Sequence, residues 1–315
     1  MIVADRVSKL YGARWALSDV SFEIGAGEVV GFLGLNGAGK TTVLKILCGV
    51  LWPSTGRVRV GGFDSIEQPR EVRRRSGFLP DQPPLYAEMT VRAMLRYTGL
   101  LNGVPSARIE ARVDEVIATC QLREVASDLV GWLSHGYRKR VGIAQAIIHE
   151  PALVILDEPT AGLDPEQIVG MRGLIRGLAE RHTVLISSHI LSEIERTCDR
   201  LLVLHEGRIV AQGREDELLR GAAAAGRLDI ALRGDAARAR AVAAATPGVG
   251  SVVVEALDDG ALNLTAQVPE PAAQEALVKA LVDAGLGVRR VTEARGAGLE
   301  AVFLQLTRGA AGKPA

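Results

Sequence analysis

The stretch Gly34-Leu35-Asn36-Gly37-Ala38-Gly39-Lys40-Thr41-Thr42 decides the fold. It fits G-x-x-x-x-G-K-[ST], and it stands between an apolar, strand-length run, Glu28–Leu33, and a helical pattern over Gly39–Leu51 with Val43, Leu44, Leu47 and Val50 on one face. A strand, a glycine-rich turn and a helix in that order make a phosphate cradle. Glycines let backbone N–H groups converge on phosphate oxygens, and the helix N-terminus adds favourable dipole charge. Lys40 has the reach to meet β- and γ-phosphates, and the Thr41 hydroxyl is a Mg²⁺ ligand. Without Lys and Thr in register, the same glycines would read as an ordinary turn before a helix.

A phosphate site of this kind needs a carboxylate for the metal, and Leu153-Val-Ile-Leu156-Asp157-Glu158-Pro159 supplies one. Four apolar residues predict a buried strand that delivers Asp157 to its C-terminal end, where α/β folds place ligands. Asp157 then holds Mg²⁺ directly or through water, and Glu158 is suited to orient and deprotonate an attacking water. Read alone, the two acids could equally cap the following turn. Around them strand and helix patterns alternate: Val20–Ile24 and Thr183–Ser187 as strands, Glu166–Arg181 and Leu191–Cys198 as helices, and a hairpin turn at Glu206-Gly207. The alternation predicts an α/β domain with a mainly parallel core sheet.

Composition agrees. Of 315 residues 48% are hydrophobic but only 4% aromatic, so the apolar mass is aliphatic, as buried parallel strands require. Lys plus Arg and Asp plus Glu both number 37, which argues against a globally basic nucleic-acid binder. No run approaches the roughly 20 apolar residues that span a bilayer. The N-terminus lacks the basic-then-apolar pattern of a signal peptide. Cys48, Cys120 and Cys198 show no metal-ligand spacing and read as small buried hydrophobes. A soluble, intracellular protein of two domains is the expectation. Arg73-Arg74-Arg75 and Arg138-Lys139-Arg140 read as solvated faces, being short and without interleaved aromatics.

The motifs together resemble the ATP-binding subunit of an ATP-binding cassette (ABC) transporter. Leu133-Ser134-His135-Gly136-Tyr137 is similar to the family signature Leu-Ser-Gly-Gly-Gln and lies upstream of Asp157 in the family's order. Gln82, in Leu79-Pro-Asp-Gln-Pro-Pro-Leu-Tyr86, matches the Q-loop; Ala161-Gly-Leu-Asp164 matches the D-loop; His189 ends a strand as the switch histidine does; Tyr11 stands where the family stacks an aromatic on adenine. The resemblance implies a P-loop ATPase domain over residues 1–220, with a mainly parallel core sheet, an antiparallel subdomain and a helical signature subdomain.

It also implies a site and a mechanism. Tyr11, Gly34, Asn36, Gly37, Ala38, Gly39, Lys40, Thr41 and Thr42 would bind ATP; Thr41, Gln82 and Asp157 would hold Mg²⁺; Glu158, His189 and Gln82 would serve hydrolysis. Ser134 and Gly136 would reach the γ-phosphate held by a second copy, two ATP molecules lying between head-to-tail cassettes, and Asp164 would couple the two sites. His135 and Tyr137 depart from the usual Gly and Gln, while the groups expected to touch phosphate remain.

The implied partners are a homodimeric second copy and a separate polytopic membrane permease, with no nucleic acid. The chain would sit on the cytoplasmic face of the cell membrane through that permease. The apolar segment Pro83–Leu101 would receive the permease's coupling helix, unless it packs internally against helices over 90–102 and 106–120. Details of these motifs resemble bacterial exporters of the drug, polysaccharide and gliding-motility kind. The alternative is a non-transport ABC ATPase acting on nucleic acid or the ribosome, but no long coiled-coil or zinc insertion is present.

After a small-residue linker at 221–227 the pattern changes. Leu228–Leu232, Val252–Ala256, Leu262–Val268 and Leu286–Thr292 read as strands. Asp235–Ala245 and Pro271–Ala284 read as helices, the latter with a stripe of Leu277, Val278, Leu281 and Val282. A hairpin turn is expected at Asp258-Asp259-Gly260, and a last amphipathic helix on Leu299, Val302, Phe303 and Leu306. The order βαββαβ predicts a small α+β, ferredoxin-like domain over 228–308, then a loose tail, 309–315. It contains no His or Cys and no candidate catalytic cluster.

Overall fold

The computed structural model describes residues 1–218, 227–257 and 261–293. The chain divides between Arg214 and Glu215 into two compact units.

The first unit opens with antiparallel strands. β1 (Ile2–Tyr11) and β2 (Arg14–Ile24) pair, and β4 (Thr55–Val60) and β5 (Phe63–Asp64) complete a sheet of order β2-β1-β4-β5. The central sheet runs β10-β9-β3-β8-β7-β6, from β3 (Val29–Leu33), β6 (Ser76–Leu79), β7 (Leu153–Asp157), β8 (Thr183–Ser188), β9 (Arg200–His205) and β10 (Arg208–Gly213). All its pairings are parallel except β9 with β10, which form the expected hairpin. Every residue of β3, β7 and β8 is buried, which is why these strands read as unbroken aliphatic runs rather than alternating ones.

The two sheets share one core. Leu17, Val20 and Phe22 of β2 meet Val30 and Phe32 of β3, Ile155 of β7 and Leu185 of β8, with Leu44 and Leu47 from α1 (Lys40–Leu47) packed among them. That helix is shorter than its pattern predicts. Gly49 takes φ 63, its N–H reaches Ile46 O at 3.0 Å, and Val50 N–H reaches Lys45 O at 3.0 Å. This is a Schellman ending, which turns the chain and leaves Val50 exposed rather than on the buried face. The helix over Leu191–Cys198 likewise stops early, as α7 (Leu191–Glu195).

Helices α2 (Pro69–Arg75), α3 (Val91–Leu101), α4 (Ile109–Thr119), α5 (His135–Ile147) and α6 (Pro165–Leu178) complete the unit. Three helix starts are written locally: Thr90, Ser134 and Asp164 are N-caps whose side chains accept from Ala93, Tyr137 and Gln167 N–H groups. The α5 C-terminus is closed from outside. Arg112, buried on α4, donates to Ile147 O at 2.7 Å and Ile148 O at 2.9 Å.

The second unit holds β11 (Arg227–Arg233), α8 (Ala236–Ala245), β12 (Val252–Ala256), β13 (Ala261–Gln267), α9 (Pro271–Asp283) and β14 (Gly287–Glu293). Its sheet is wholly antiparallel, in the order β12-β13-β11-β14. That is the split βαβ arrangement expected from βαββαβ. Leu262, Leu264 and Ala266 face inward with Leu228, Ile230 and Leu232, against Ala239 and Ala243 of α8 and Leu277 and Leu281 of α9. Val282, predicted to join the α9 stripe, is exposed. The linker at 221–226, the turn at 258–260, the helix at 299–306 and the tail fall outside the described residues; Arg227 opens β11. Among the described residues no helix is long and apolar enough to cross a membrane.

Candidate functional site

The strand order β3-β8-β7 sets three carboxyl ends side by side. Leu33 pairs with Ser188, and Ser187 with Asp157. The glycine-rich turn leaves β3, Asp157 and Glu158 close β7, and His189 follows β8, so segments far apart in sequence converge on one cavity.

The turn explains its own glycines. Gly39 is the N-cap of α1 at φ 106, and an added Cβ would lie 2.6 Å from Ala16 O. Gly34 has an ordinary φ, but its Cβ would lie 2.5 Å from Leu204 O. Neither place admits a side chain. No side chain caps α1 and no acid stands in its first turn, so its first N–H groups face the cavity, as an anion site requires. Lys40, though almost fully buried, is held by Gly34 O at 2.7 Å and Leu35 O at 3.4 Å, with Glu158 Oε1 3.3 Å away.

Across the cavity the Thr41 hydroxyl donates to Asp157 Oδ2 at 2.8 Å, and the Ser187 hydroxyl donates to Asp157 Oδ1 at 2.5 Å. Asp157 is therefore aimed by the residue beside it in the sheet. A hydroxyl and a carboxylate oxygen converging at the end of a buried strand suit a small hard cation such as Mg²⁺. His189 Nδ1 lies 2.9 Å from Glu158 Oε2. The Glu158 backbone takes φ 49, left-handed for a non-glycine residue, and its N–H donates to Ser187 Oγ at 3.0 Å and Ser187 O at 3.2 Å. Such a conformation costs of order 1–3 kcal/mol and persists only where neighbours impose it.

The cavity is about 510 Å³, lined by Tyr11, Asn36, Gly37, Gly39, Lys40, Thr41, Thr42, Asp157 and Glu158, with Arg14, Ala16, Leu35 and Asp81. Tyr11 is half exposed at its mouth, with Lys9 Nζ 5.4 Å from the ring centroid. Of the expected residues, Gly34, Ala38, Gln82 and His189 are not in this lining; Gln82 is exposed on the loop after β6, where its neighbour Asp81 lines the cavity instead. Ser134, Gly136 and Asp164 line a separate open cleft between α5 and α6. Ser134 and Asp164 are the N-caps of those helices, and His135 Nε2 lies 3.1 Å from Ala161 O, fastening the signature turn to the D-loop.

Two buried charges beside the site, Lys139 and Glu193, escaped the sequence reading. Arg138-Lys139-Arg140 is not a solvated face: Arg138 is exposed, Arg140 binds Gln121 Oε1 at 2.7 Å, and Lys139 is buried. Lys139 falls in register with Gly136 and the buried Ile143 on the inner face of α5, and that spacing was the available signal. Glu193 is buried as well, accepting from Thr160 Oγ1 and from Ser188 Oγ, and so ties the segment after Glu158 to the end of β8. Cys48 and Cys120 are buried, as expected, whereas Cys198 is partly exposed; burial pushes the Cys120 and Cys198 thiols up to about 12, and Cys48 higher still.

The Pro83–Leu101 segment divides by face. Val91, Met94 and Leu95 are core, whereas Tyr86, Tyr97 and Leu101 are exposed, the two tyrosines meeting edge to face with centroids 5.9 Å apart.

The family model described as ABC transporter matches residues 17–161. The ABC transporter ATP-binding protein NatA of Bacillus subtilis is 41% identical over 205 residues, 64% of this chain and 83% of that protein. The Nod factor export ATP-binding protein I of Rhizobium johnstonii is 39% identical over 214 residues, 68% of this chain and 69% of that protein. A dimeric bacterial ABC transporter cassette, MJ0796, superposes with a TM-score of 0.63 at 25% identity, covering 68% of this chain and 98% of the other. With a glycine-rich cradle, a hydroxyl–carboxylate pair at its rim and a helix opening on Ser134 in this one unit, the chain belongs to the ABC transporter family, as an ATP-binding subunit that hydrolyses ATP.

Proposed function

We propose that the chain powers export through a separate membrane permease, hydrolysing two ATP molecules held between head-to-tail cassettes. The observation that carries this is the split of the site. The cradle, Asp157 and Glu158 share one cavity, with His189 held against Glu158 Oε2, while Ser134 and Gly136 line another, so a complete site needs the signature of a second copy. The similar MJ0796 cassette was solved as a dimer.

Each residue then has a role. Tyr11 offers a ring to adenine. The α1 N-terminus and Lys40 take the β- and γ-phosphates. Thr41 and Asp157 would hold Mg²⁺, which when bound neutralises phosphate charge. Glu158 accepts a proton from the attacking water, and His189, on Glu158 Oε2, fixes that carboxylate and meets the γ-phosphate. On binding of the triphosphate, Lys40 turns from the carbonyls that hold it toward the phosphates. Gln82 reaches the metal and the water only when the loop after β6 moves, since its side chain is exposed and Asp81 lines the cavity. Asp164, capping α6 on the signature side, links the two sites. Loss of the γ-phosphate removes the shared ligand and the copies part, a ligand-driven switch.

The exposed tyrosine pair and Leu101, on the segment that follows Gln82 in the chain, supply the apolar surface for a permease helix, and the net charge of zero leaves bulk attraction to anionic lipid a minor part. Docked there, the chain sits on the cytoplasmic membrane face. Export rests on likeness to proteins such as the Nod factor export subunit. The rival role on nucleic acid or ribosome finds neither basic balance nor insertion to support it.

The test is sedimentation of Glu158→Gln with ATP. A nucleotide-dependent dimer, abolished by Ser134→Arg, is expected; a monomer under saturating ATP would sink the sandwich.

A further inference from the structure

Lys139 lies on the buried side of α5, one turn after the signature. Its side chain is 1% exposed, yet its ammonium meets three oxygens: Asp81 O at 2.6 Å, Asp81 Oδ1 at 3.2 Å and Glu158 O at 3.0 Å. An ammonium has three protons, so every donor has an acceptor. Burying such a charge is costly, and helix packing alone would be served as well by an apolar side chain. The three acceptors belong to two segments at the cavity. Asp81 lines it and precedes Gln82; Glu158 is its reactive acid.

The contact falls on the strained residue. Glu158 N–H is held by Ser187, and Glu158 O is held by Lys139, so both ends of its main chain are anchored while φ stays at 49. From that anchored backbone the carboxylate reaches His189 and Lys40.

We propose that Lys139 is a positioning residue for hydrolysis. It fixes the Glu158 backbone in its left-handed conformation and joins it, through one buried charge, to the helix that starts at Ser134 and to the loop at Asp81. Engagement of the signature by a second copy's nucleotide then sets the aim of the carboxylate. Lys139 touches no substrate; it acts through Glu158. The proposal rests on the reading of Glu158 as the acceptor of the water's proton.

The test uses the full chain with Lys139→Met, Lys139→Gln and Lys139→Arg. Steady-state kcat and KM for Mg-ATP are measured beside equilibrium binding of a fluorescent ATP analogue and thermal melting. Displacing a reacting group by about an ångström costs up to roughly a hundredfold in rate, so Lys139→Met lowers kcat by about ten- to a hundredfold, with nucleotide affinity within about threefold of wild type. Lys139→Arg, which keeps charge and donors, recovers most of the loss, and Lys139→Gln recovers less. The proposal is overturned if Lys139→Met retains kcat within about twofold. It is equally overturned if kcat, affinity and melting temperature fall together in all three variants, Arg included, since that is the mark of a mere strut.

Should the Met variant not fold, the Gln and Arg variants decide: kcat lower in Gln at equal affinity supports the proposal, and equal kcat overturns it. Glu158→Gln is assayed alongside. Full activity there removes the reading of Glu158 itself. An inactive Glu158→Gln with an unimpaired Lys139→Met removes the Lys139 proposal alone.

Discussion

The two units bury different things. In residues 1–214 the buried polar set includes Lys40, Lys139, Asp157, Thr160, Ser187, Ser188 and Glu193, gathered at the carboxyl ends of β3, β7 and β8. Among the described residues from 227 onward, Thr246 is the only buried polar residue, and its hydroxyl donates back to Val242 O at 2.9 Å. The second unit's described residues from 227 onward form a sheet and two helices closed by aliphatic packing. The cassette accepts buried charges, each held by partners, because its chemistry needs them out of water, where electrostatic interactions are strong. The lesson is one of location: Lys40, Lys139, Asp157 and Glu193 bury their charges at the reacting end of the sheet, whereas Arg112, buried on α4, closes the end of α5.

The comparison predicts opposite responses to substitution. Lys40→Ala removes the cation at the cradle and should lower ATP turnover by about a thousandfold, measured as phosphate release, while the second unit keeps its hydrogen-exchange protection. Turnover near wild type would break the comparison on the cassette side. Leu264→Ala, in a side chain with no exposure, should destabilise the second unit by about 2–5 kcal/mol, seen as faster amide exchange in β11 and β13. Turnover per molecule should not change. A fall in turnover with intact cassette protection would show that the second unit regulates the first.

A smaller effect is pH-dependent and confined to the cassette. Burial, foremost, lowers the pKa of His149 and His182 below 6.5, and the second unit has no histidine. The unfolded chain therefore takes up protons first as pH falls through 6.5, so the cassette loses stability below that value and gains none above it. Thermal melts from pH 8 to pH 5.5 should show the decline, and His182→Gln should shallow it. A flat profile would mean that neither histidine is as buried as the structure places it.

How much was legible depended on period and reach. The buried strands β3, β7 and β8 announce themselves as aliphatic runs, and the cradle is contiguous, so both could be read directly. The second unit was legible because β13 alternates cleanly. The end of α1 was not, because Val50 continues the apolar spacing while Gly49 turns the chain. Lys139 and Glu193 escaped for a different reason. Their partners, Asp81, Glu158, Thr160 and Ser188, lie on other elements, and a charged residue among charges resembles solvated surface until the fold closes over it. Gln82 shows the converse: the motif named the residue, while the residue of that loop lining the cavity is Asp81.

The central claim is that one anchored carboxylate, Glu158, takes the proton from water in ATP hydrolysis. Phosphate release by the wild-type chain, set against Glu158→Gln at saturating Mg-ATP, tests it most directly. A fall of about a hundred- to ten-thousandfold with ATP binding retained is the predicted result. A Glu158→Gln chain that turns over ATP at the wild-type rate would contradict it.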